Sequence, residues 1–210
     1  MSTLVLASAS PRRADLLRTI GCRFEVVPSH ADETTPPDWS PEETVSALAE
    51  KKADEIAARF PERTVVGADT IVVLDGQILG KPVDRADAHR TLTQLSGHTH
   101  QVLTAVCLIR KATGRREQIL SATRVVFRQL SDREIQTYLD TDEPYDKAGA
   151  YGIQGQACVF VDSIEGCFYN VVGFPLTEFW LALDRITDGE PEHYRESGQT
   201  PDLLTHRQDP

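Results

Sequence analysis

The sequence predicts an α/β fold in which one mixed, twisted sheet is flanked by helices. Apolar runs of strand length alternate with segments whose apolar residues recur at helical spacing, and turn signals such as Asp75-Gly76 separate them. With 40% hydrophobic and 26% charged residues among 210, the chain can bury a single core of ordinary size. We therefore expect one domain over residues 1–187. Residues 188–210, which are polar and contain prolines, are expected to form a mobile tail.

The elements follow in order from the first apolar run. Residues 3–7 predict a buried strand, and Ser10 followed by Pro11 predicts a helix that ends at Gly21. The remaining strands are predicted at residues 22–27, 64–74, 77–79, 102–110, 118–127, 158–161 and 169–172. The remaining helices are predicted at residues 40–63, 84–96, 131–140 and 176–186, and capping boxes at Ser40/Glu43 and Ser131/Glu134 begin two of them.

Charge and cysteine usage exclude several classes of protein. The 22 basic and 32 acidic residues leave a net charge of -10, which argues against a surface that follows a nucleic-acid backbone. The apolar run near the start, Leu4–Ala7, is too short for a signal peptide or a membrane span, so we expect a cytoplasmic protein. Four cysteines without the CxxC spacing of a zinc site are expected to be packing thiols: Cys22, Cys107, Cys158 and Cys167.

The start of the first predicted helix could hold a phosphate. Free backbone amides at a helix start attract anions, and here the Ser8 and Ser10 hydroxyls and the Arg12 and Arg13 guanidinium groups lie beside them. Both arginines lie in the first turn, where a positive charge opposes the helix dipole unless an anion binds. An ordinary capped helix with solvated arginines explains the same pattern equally well.

Two charged residues occupy positions that are expected to be buried. Lys52 falls within the apolar stripe of the long second helix, and Asp69 interrupts the apolar strand at residues 65–74. A buried ammonium or carboxylate requires a partner of opposite charge or a metal. The alternatives are that the lysine extends to water from the edge of the stripe and that the aspartate caps a turn. Thr70 should face away from Asp69 in a regular strand.

Four further residues could contribute to a nucleotide site. Asp32 and Glu33 lie in a polar loop and could supply oxygen ligands for a hard cation such as Mg²⁺, although acidic loops are usually only solvated. Lys81 lies between a glycine and a proline and could reach a phosphate. In the glycine-rich segment at residues 146–155, Gln154 offers both a donor and an acceptor, but a tight structural turn would have the same composition.

Taken together, these motifs closely resemble the Maf family of nucleotide pyrophosphatases. The resemblance is ordered along the chain from Leu4 to about Leu183, and it rests on Ser8-Ala9-Ser10-Pro11-Arg12-Arg13, Ala68-Asp69-Thr70, Leu79-Gly80-Lys81-Pro82, Leu95-Ser96-Gly97, residues 146–155 and Asn170-Val171-Val172-Gly173. It implies a fold like that of the inosine triphosphate pyrophosphatases, with two lobes around a cleft, and commonly a homodimer. Phe174, where leucine is usual, and the residues after 187 depart from the family pattern.

The resemblance also implies a reaction and its catalytic residues. The substrate would be a nucleoside triphosphate, cut to its monophosphate and pyrophosphate, with the position of Asp69 as the proton acceptor. The positions of Glu33, Lys52 and Lys81 belong to the catalytic or phosphate-binding set. We expect a divalent cation, Mg²⁺, held by phosphate oxygens with help from Asp69 and Glu33.

Base preference and the competing hypotheses complete the prediction. The combination of Arg12, Thr70 and Gln154 resembles the branch that acts on dTTP and UTP. A nucleotide-sensing regulator of cell division that binds triphosphates without hydrolysing them is an alternative. A phosphotransferase that forms an aspartyl phosphate on Asp69 would need a DxD pattern, which is missing around it.

Overall fold

The computed structural model describes residues 2–195 and confirms the predicted mixed α/β class, with seven strands in one sheet flanked by helices. The strands are β1 (Leu4–Leu6), β2 (Phe24–Val26), β3 (Val65–Leu74), β4 (Gln77–Leu79), β5 (Thr99–Arg110), β6 (Arg115–Phe127) and β7 (Val161–Glu165). The helices are α1 (Pro11–Thr19), α2 (Pro41–Ala57), α3 (Arg85–Leu95), α4 (Asp132–Leu139), α5 (Phe168–Val172) and α6 (Leu176–Ile186). Within residues 2–195, none of these helices has both the length and the hydrophobicity that crossing a membrane requires.

The sheet has the strand order β2-β1-β3-β5-β6-β7, and β4 also pairs with β3. β1 is parallel to both of its neighbours, whereas all other pairs are antiparallel. β5 covers one edge of β3 from Val65 to Val73. β1 and β4 must therefore share the opposite edge, because a strand has only two.

The shared edge of β3 is covered at both ends and open in the middle. β1 pairs with it as far as Val66, and β4 pairs with it from Val72 onward. Within the described part of the chain, no strand pairs with this edge at residues 67–71. Side chains alternate between the two faces of a strand, so groups from both faces of β3 border this opening.

Helix α2 begins at the predicted capping box and packs closely on β3. Ser40 Oγ accepts a hydrogen bond from Glu43 N at 3.1 Å, and Glu43 Oε2 accepts one from Ser40 N at 2.8 Å. A β-carbon on Gly67 would lie 2.4 Å from the Ala49 carbonyl oxygen, so only glycine allows the helix and the strand to approach this closely. This packing brings Lys52, one turn after Ala49, beside the open middle of β3.

Two of the predicted strands are wrong. Residues 156–160 form a short 3₁₀ helix where a strand was expected at 158–161, and residues 169–172 belong to α5, which ends at Gly173 with a φ of 114°. A short apolar run fits a buried strand and a buried helical turn equally well, so its period cannot separate them. Cys158 is exposed, which contradicts its expected role as a packing thiol.

The end of the described chain packs against the body, although the mobile tail was predicted from residue 188. Tyr194 is only 5% exposed, its hydroxyl lies 2.9 Å from Thr64 Oγ1, and its carbonyl accepts a hydrogen bond from Arg23 N at 2.7 Å. One aromatic anchor is enough to hold a segment whose composition is otherwise polar. The rest of the predicted tail, residues 196–210, lies outside the described residues.

Candidate active site

A cleft of about 870 Å³ opens where the edge of β3 is unpaired. Its walls come from the start of α1, from α2 and β3, from the turn after β4, and from the glycine-rich segment after α4. Ten of the residues predicted to act at the site line this one cleft: Ser8, Ser10, Arg12, Arg13, Glu33, Lys52, Asp69, Thr70, Lys81 and Gln154. Asp32, the other predicted metal ligand, lies outside the cleft and accepts hydrogen bonds from Thr34 N and Thr34 Oγ1. Residues that are far apart in the sequence therefore come together in one cleft.

Lys52 connects two acidic residues of the cleft, Glu33 and Asp69. Its Nζ lies 2.6 Å from Asp69 Oδ1 and 2.7 Å from Glu33 Oε1. The side chains of Lys52 and Asp69 are 14% and 15% exposed, whereas that of Glu33 is 64% exposed. The lysine is thus held inside the cleft by a nearly buried ion pair, and it does not extend to water from the edge of the helix stripe.

The charge of Glu33 is stabilised by the cations around it. The hydrogen bond from Lys52 holds the pKa of Glu33 below its usual value, although partial burial of the carboxyl opposes the shift. The charges of Lys52, Lys81 and Arg13 act in the same direction as the hydrogen bond. Glu33 is therefore ionised at neutral pH and available as an acceptor or a metal ligand.

Arg13 is buried and joins several elements to one another. Its Nε donates to the Gly173 carbonyl at 3.0 Å, and one terminal nitrogen donates to Ala68 O at 2.8 Å and to Ser8 Oγ at 3.1 Å. The other terminal nitrogen donates to Thr70 Oγ1 at 3.0 Å. Burial lowers the pKa of this guanidinium, and the charge of Arg12 lowers it further, while Asp69 and Glu33 oppose the shift.

The other residues at the start of α1 remain more accessible. Arg12 has a side chain that is 32% exposed and lies 3.4 Å from Asp146 on the opposite wall. Ser8 Oγ accepts a hydrogen bond from Ser10 N at 3.2 Å, and the Ser10 side chain makes no capping hydrogen bond. The Ser10 hydroxyl and the Arg12 guanidinium are consequently the groups of this turn that are free to meet a phosphate.

Asp69 and Thr70 project from opposite faces of β3, as expected from their adjacent positions, yet both reach the cleft. Thr70 Oγ1 lies 3.0 Å from Thr104 Oγ1 of the neighbouring strand and accepts the hydrogen bond from Arg13. The opening in the edge of β3 explains this arrangement, because the cleft extends past the strand on both of its faces. Asp69 and Thr70 can therefore contact different parts of one ligand.

Lys81, in the turn after β4, and Gln154, in the glycine-rich segment, both line the cleft and are exposed. Lys81 makes no ion pair with any residue in the described range 2–195. Its turn is tied to the glycine-rich segment, since Gly149 N donates to the Gly80 carbonyl at 3.1 Å. Both side chains line the cleft, and among residues 2–195 neither has a partner that would hold it in place.

Three charged cleft residues, Glu143, Asp146 and Lys147, were given no role from the sequence, although the last two belong to the segment 146–155 that it singled out. Glu143 accepts hydrogen bonds from Tyr138 and from Gln156 N, both at 2.9 Å, and so fixes the loop that carries Gln154. Lys147 Nζ donates to Asp146 Oδ1 at 2.5 Å and to the Glu143 carbonyl at 2.7 Å. The charged residues at 143–147, directly before the glycines, were the available signal.

His100 supports the glycine-rich wall from beneath. It is 2% exposed, its Nε2 lies 2.8 Å from the Tyr151 hydroxyl, and its ring packs edge-on against Phe127 and Tyr151. Its Nδ1 has no partner among the described residues. Burial lowers the pKa of His100 to about 4, so the folded protein holds the neutral imidazole at neutral pH.

This histidine predicts a loss of stability in mild acid. In the unfolded chain His100 becomes protonated below about pH 6.5, whereas in the folded protein it becomes protonated only near pH 4. The free energy of unfolding should therefore fall as the pH drops through this window, by roughly 3 kcal/mol at most. Urea unfolding at several pH values would measure the slope, and His100→Gln, which cannot titrate, should show a smaller one. Equal slopes in the two proteins would contradict this assignment.

The two carboxylates that Lys52 joins, those of Glu33 and Asp69, fit a hard cation that also binds phosphate. Within residues 2–195, no group of three or more histidine, cysteine or acidic side chains is placed to hold a metal by itself. Mg²⁺ is usually bound by one or two carboxylates together with substrate phosphates and water. Asp69 and Glu33 match this pattern, because one oxygen of each reaches the same Lys52 nitrogen.

Comparison with solved structures finds distantly similar proteins. Among solved structures, the Ham1 protein of Staphylococcus aureus is 16% identical with a TM-score of 0.43, and the overlap covers 60% of this chain and 72% of that chain. A dITP/XTP pyrophosphatase from Mycobacterium abscessus is 18% identical with a TM-score of 0.40, covering 61% and 75%.

Sequence relatives are much more similar. The dTTP/UTP pyrophosphatase of Symbiobacterium thermophilum is 51% identical over 177 residues, which is 84% of this chain and 90% of the relative. That of Syntrophus aciditrophicus is 45% identical over 199 residues, or 93% and 97%. The family model described as Maf-like protein matches residues 3–186. The chain therefore belongs to the Maf family.

Proposed function

We propose that this protein is a dTTP/UTP pyrophosphatase that releases the nucleoside monophosphate and pyrophosphate. The observation that supports the proposal best is the joining of Asp69 and Glu33 by Lys52 in a cleft that phosphate-binding groups also line. Relatives that are 43–51% identical over most of the chain bear this activity in their names. The volume of the cleft, about 870 Å³, is within the range of small-molecule sites.

The triphosphate would lie between the two walls of the cleft. Ser10 and Arg12 at the start of α1 would hold it from one side, and Lys81 would hold it from the other. Lys52 would neutralise charge that develops as the bond breaks. Arg13 would act mainly through the elements that it fixes, because four hydrogen bonds already go to protein oxygens.

The reaction would be an attack of water on the α-phosphorus. Asp69 would orient this water and accept its proton, the bond between the α-phosphorus and the bridging oxygen would break, and pyrophosphate would leave with that oxygen. Asp69 and Glu33 would hold a divalent cation, Mg²⁺, which when bound supplies Lewis-acid polarisation of a phosphoryl oxygen. Most of the acceleration would come from positioning and electrostatics.

The nucleobase of the substrate would be selected by residues other than those that position the attacking water. Thr70 and Gln154 lie on different walls of the cleft, and with Arg12 they resemble the branch of the family that acts on dTTP and UTP. Thr70 is held in place by Arg13 and Thr104. The Thr70 hydroxyl could therefore contact the base of the nucleotide without losing further side-chain entropy on binding.

A panel of nucleoside triphosphates would test the proposal. The purified protein is incubated with each triphosphate, with and without Mg²⁺, and the products are identified by chromatography. We expect monophosphate and pyrophosphate in equal amounts from dTTP and UTP, and much less product from purine nucleotides. Saturable binding without pyrophosphate release would favour the sensing regulator instead, and release of orthophosphate would contradict cleavage at the α-phosphorus.

We also infer the setting in which the enzyme works. The sequence and the family resemblance favour a cytoplasmic protein that is a homodimer and that acts on free nucleotides, without a nucleic-acid or membrane partner. Light scattering of the purified protein would test the dimer, since a mass near that of one 23.3 kDa chain would contradict it.

A further inference from the structure

Lys52 occupies the place that a cation on Glu33 and Asp69 would need. Its Nζ is 2.7 Å from Glu33 Oε1 and 2.6 Å from Asp69 Oδ1. A magnesium ion on the same two oxygens would lie about 2.1 Å from each. The ammonium and the metal cannot both lie between these oxygens, because the two positions overlap.

The competition is also one of charge. Lys52 and Asp69 form a nearly buried pair, and removing one partner of such a pair leaves a charge without compensation. An ammonium has three N–H donors, of which two point to the carboxylates. A phosphate that enters the cleft can draw the ammonium away, because it offers several strong acceptors and a higher negative charge.

We propose that Lys52 controls when the metal binds. Its ammonium competes with a divalent cation for Glu33 and Asp69, so that tight metal binding requires a polyphosphate that gives the ammonium another partner. The metal is thereby coupled to the substrate, and the enzyme does not hold it firmly between turnovers. This inference rests on the metal site of the proposed function.

The test measures metal affinity in the absence of nucleotide. Mn²⁺ is titrated into the parent protein and into Lys52→Gln, and free Mn²⁺ is followed by electron paramagnetic resonance. Removing the competitor should lower the dissociation constant of Lys52→Gln about tenfold or more, the size typical of coupling between sites. This gain should occur although the same substitution lowers turnover.

Lys81→Gln is the matched control. It removes the same charge from the same cleft, but Lys81 is exposed and contacts neither carboxylate within the described residues. Its Mn²⁺ affinity should change less than threefold, since an exposed charge at a distance acts weakly. The inference is overturned if Lys52→Gln binds Mn²⁺ no more tightly than the parent, or if Lys81→Gln gains as much.

A second measurement needs no variant, in case Lys52→Gln does not fold. Reductive methylation followed by mass spectrometry reports how accessible each lysine of the parent is. Lys52 should react slowly in the protein alone and faster at the Mn²⁺ concentration that saturates the site, whereas Lys81 should not change. A Lys52 rate that the metal leaves unchanged would overturn the proposal.

The outcome is separable from that of the proposed function. Metal affinity and lysine reactivity are both measured without turnover. A parent protein that releases no pyrophosphate would refute the proposed function, but the Mn²⁺ affinities and the methylation rates would still test the competition. Equal Mn²⁺ affinities in all three proteins would reject the competition while leaving the hydrolase intact.

Discussion

Replacing Asp69 with asparagine is expected to reduce kcat by about 10²- to 10⁴-fold, the range typical of a lost general base. The amide keeps the size of the side chain but cannot accept a proton from water, and it contributes less to a cation site. Lys52 would keep Glu33 as its partner, so the fold should survive. Steady-state kinetics with dTTP, together with thermal unfolding, would separate the loss of catalysis from a loss of structure.

Asp75→Asn provides the matched control for this experiment. Asp75 lies at the exposed turn between β3 and β4, outside the cleft, and has a φ of 49° that asparagine tolerates well. The same chemical change at the end of the same strand should leave kcat within twofold. If Asp69→Asn kept full activity, the role assigned to Asp69 would be refuted.

Arg13→Met should cause the largest loss of stability, about 2–4 kcal/mol in the free energy of unfolding. The side chain is 9% exposed, and its removal takes one hydrogen bond from each of four oxygens in or near the core: Gly173 O, Ala68 O, Ser8 Oγ and Thr70 Oγ1. The two hydroxyl oxygens each keep another partner, Ser10 N and Thr104 Oγ1 respectively. Buried acceptors that lose a partner are costly, and methionine fills the space without replacing the hydrogen bonds. Urea unfolding would measure the change.

The neighbouring arginine again offers a control. Arg12→Met removes the same charge from the same helix turn, but this side chain is partly exposed and has one contact at 3.4 Å. It should change stability by less than 1 kcal/mol while raising KM for the nucleotide. Arg13→Lys keeps the charge but not the planar fork, so it should remain destabilised. Equal stabilities of the two methionine variants would contradict the structural role of Arg13.

Much of the fold follows from local signals in the sequence. The capping boxes at Ser40 and Ser131 form as predicted, because their hydrogen bonds involve only residues of the same turn. The long β3–β4 hairpin follows from its apolar run and its Asp-Gly turn. The predicted strand at residues 169–172 is wrong because four residues are too few to distinguish the period of a helix from that of a strand.

The site was only partly predictable for a different reason. A lysine in an apolar stripe and an aspartate in an apolar strand each indicate a need for a partner, and the structure makes Lys52 and Asp69 partners of each other. Nothing local indicates that β1 and β4 leave part of β3 uncovered, since strand pairing depends on residues far apart in the chain. The multiple hydrogen bonds of Arg13 were unpredictable for the same reason.

The uncovered part of β3 carries a risk that its neighbours limit. A free strand edge can pair with an edge of another molecule, which is a common route to aggregation. Here the free stretch is short and lies inside a concave surface, and the Ala68 carbonyl on that edge is already engaged by Arg13. The Arg13 guanidinium thus occupies a carbonyl with which another strand would have to pair, and the cleft still has room for a small molecule.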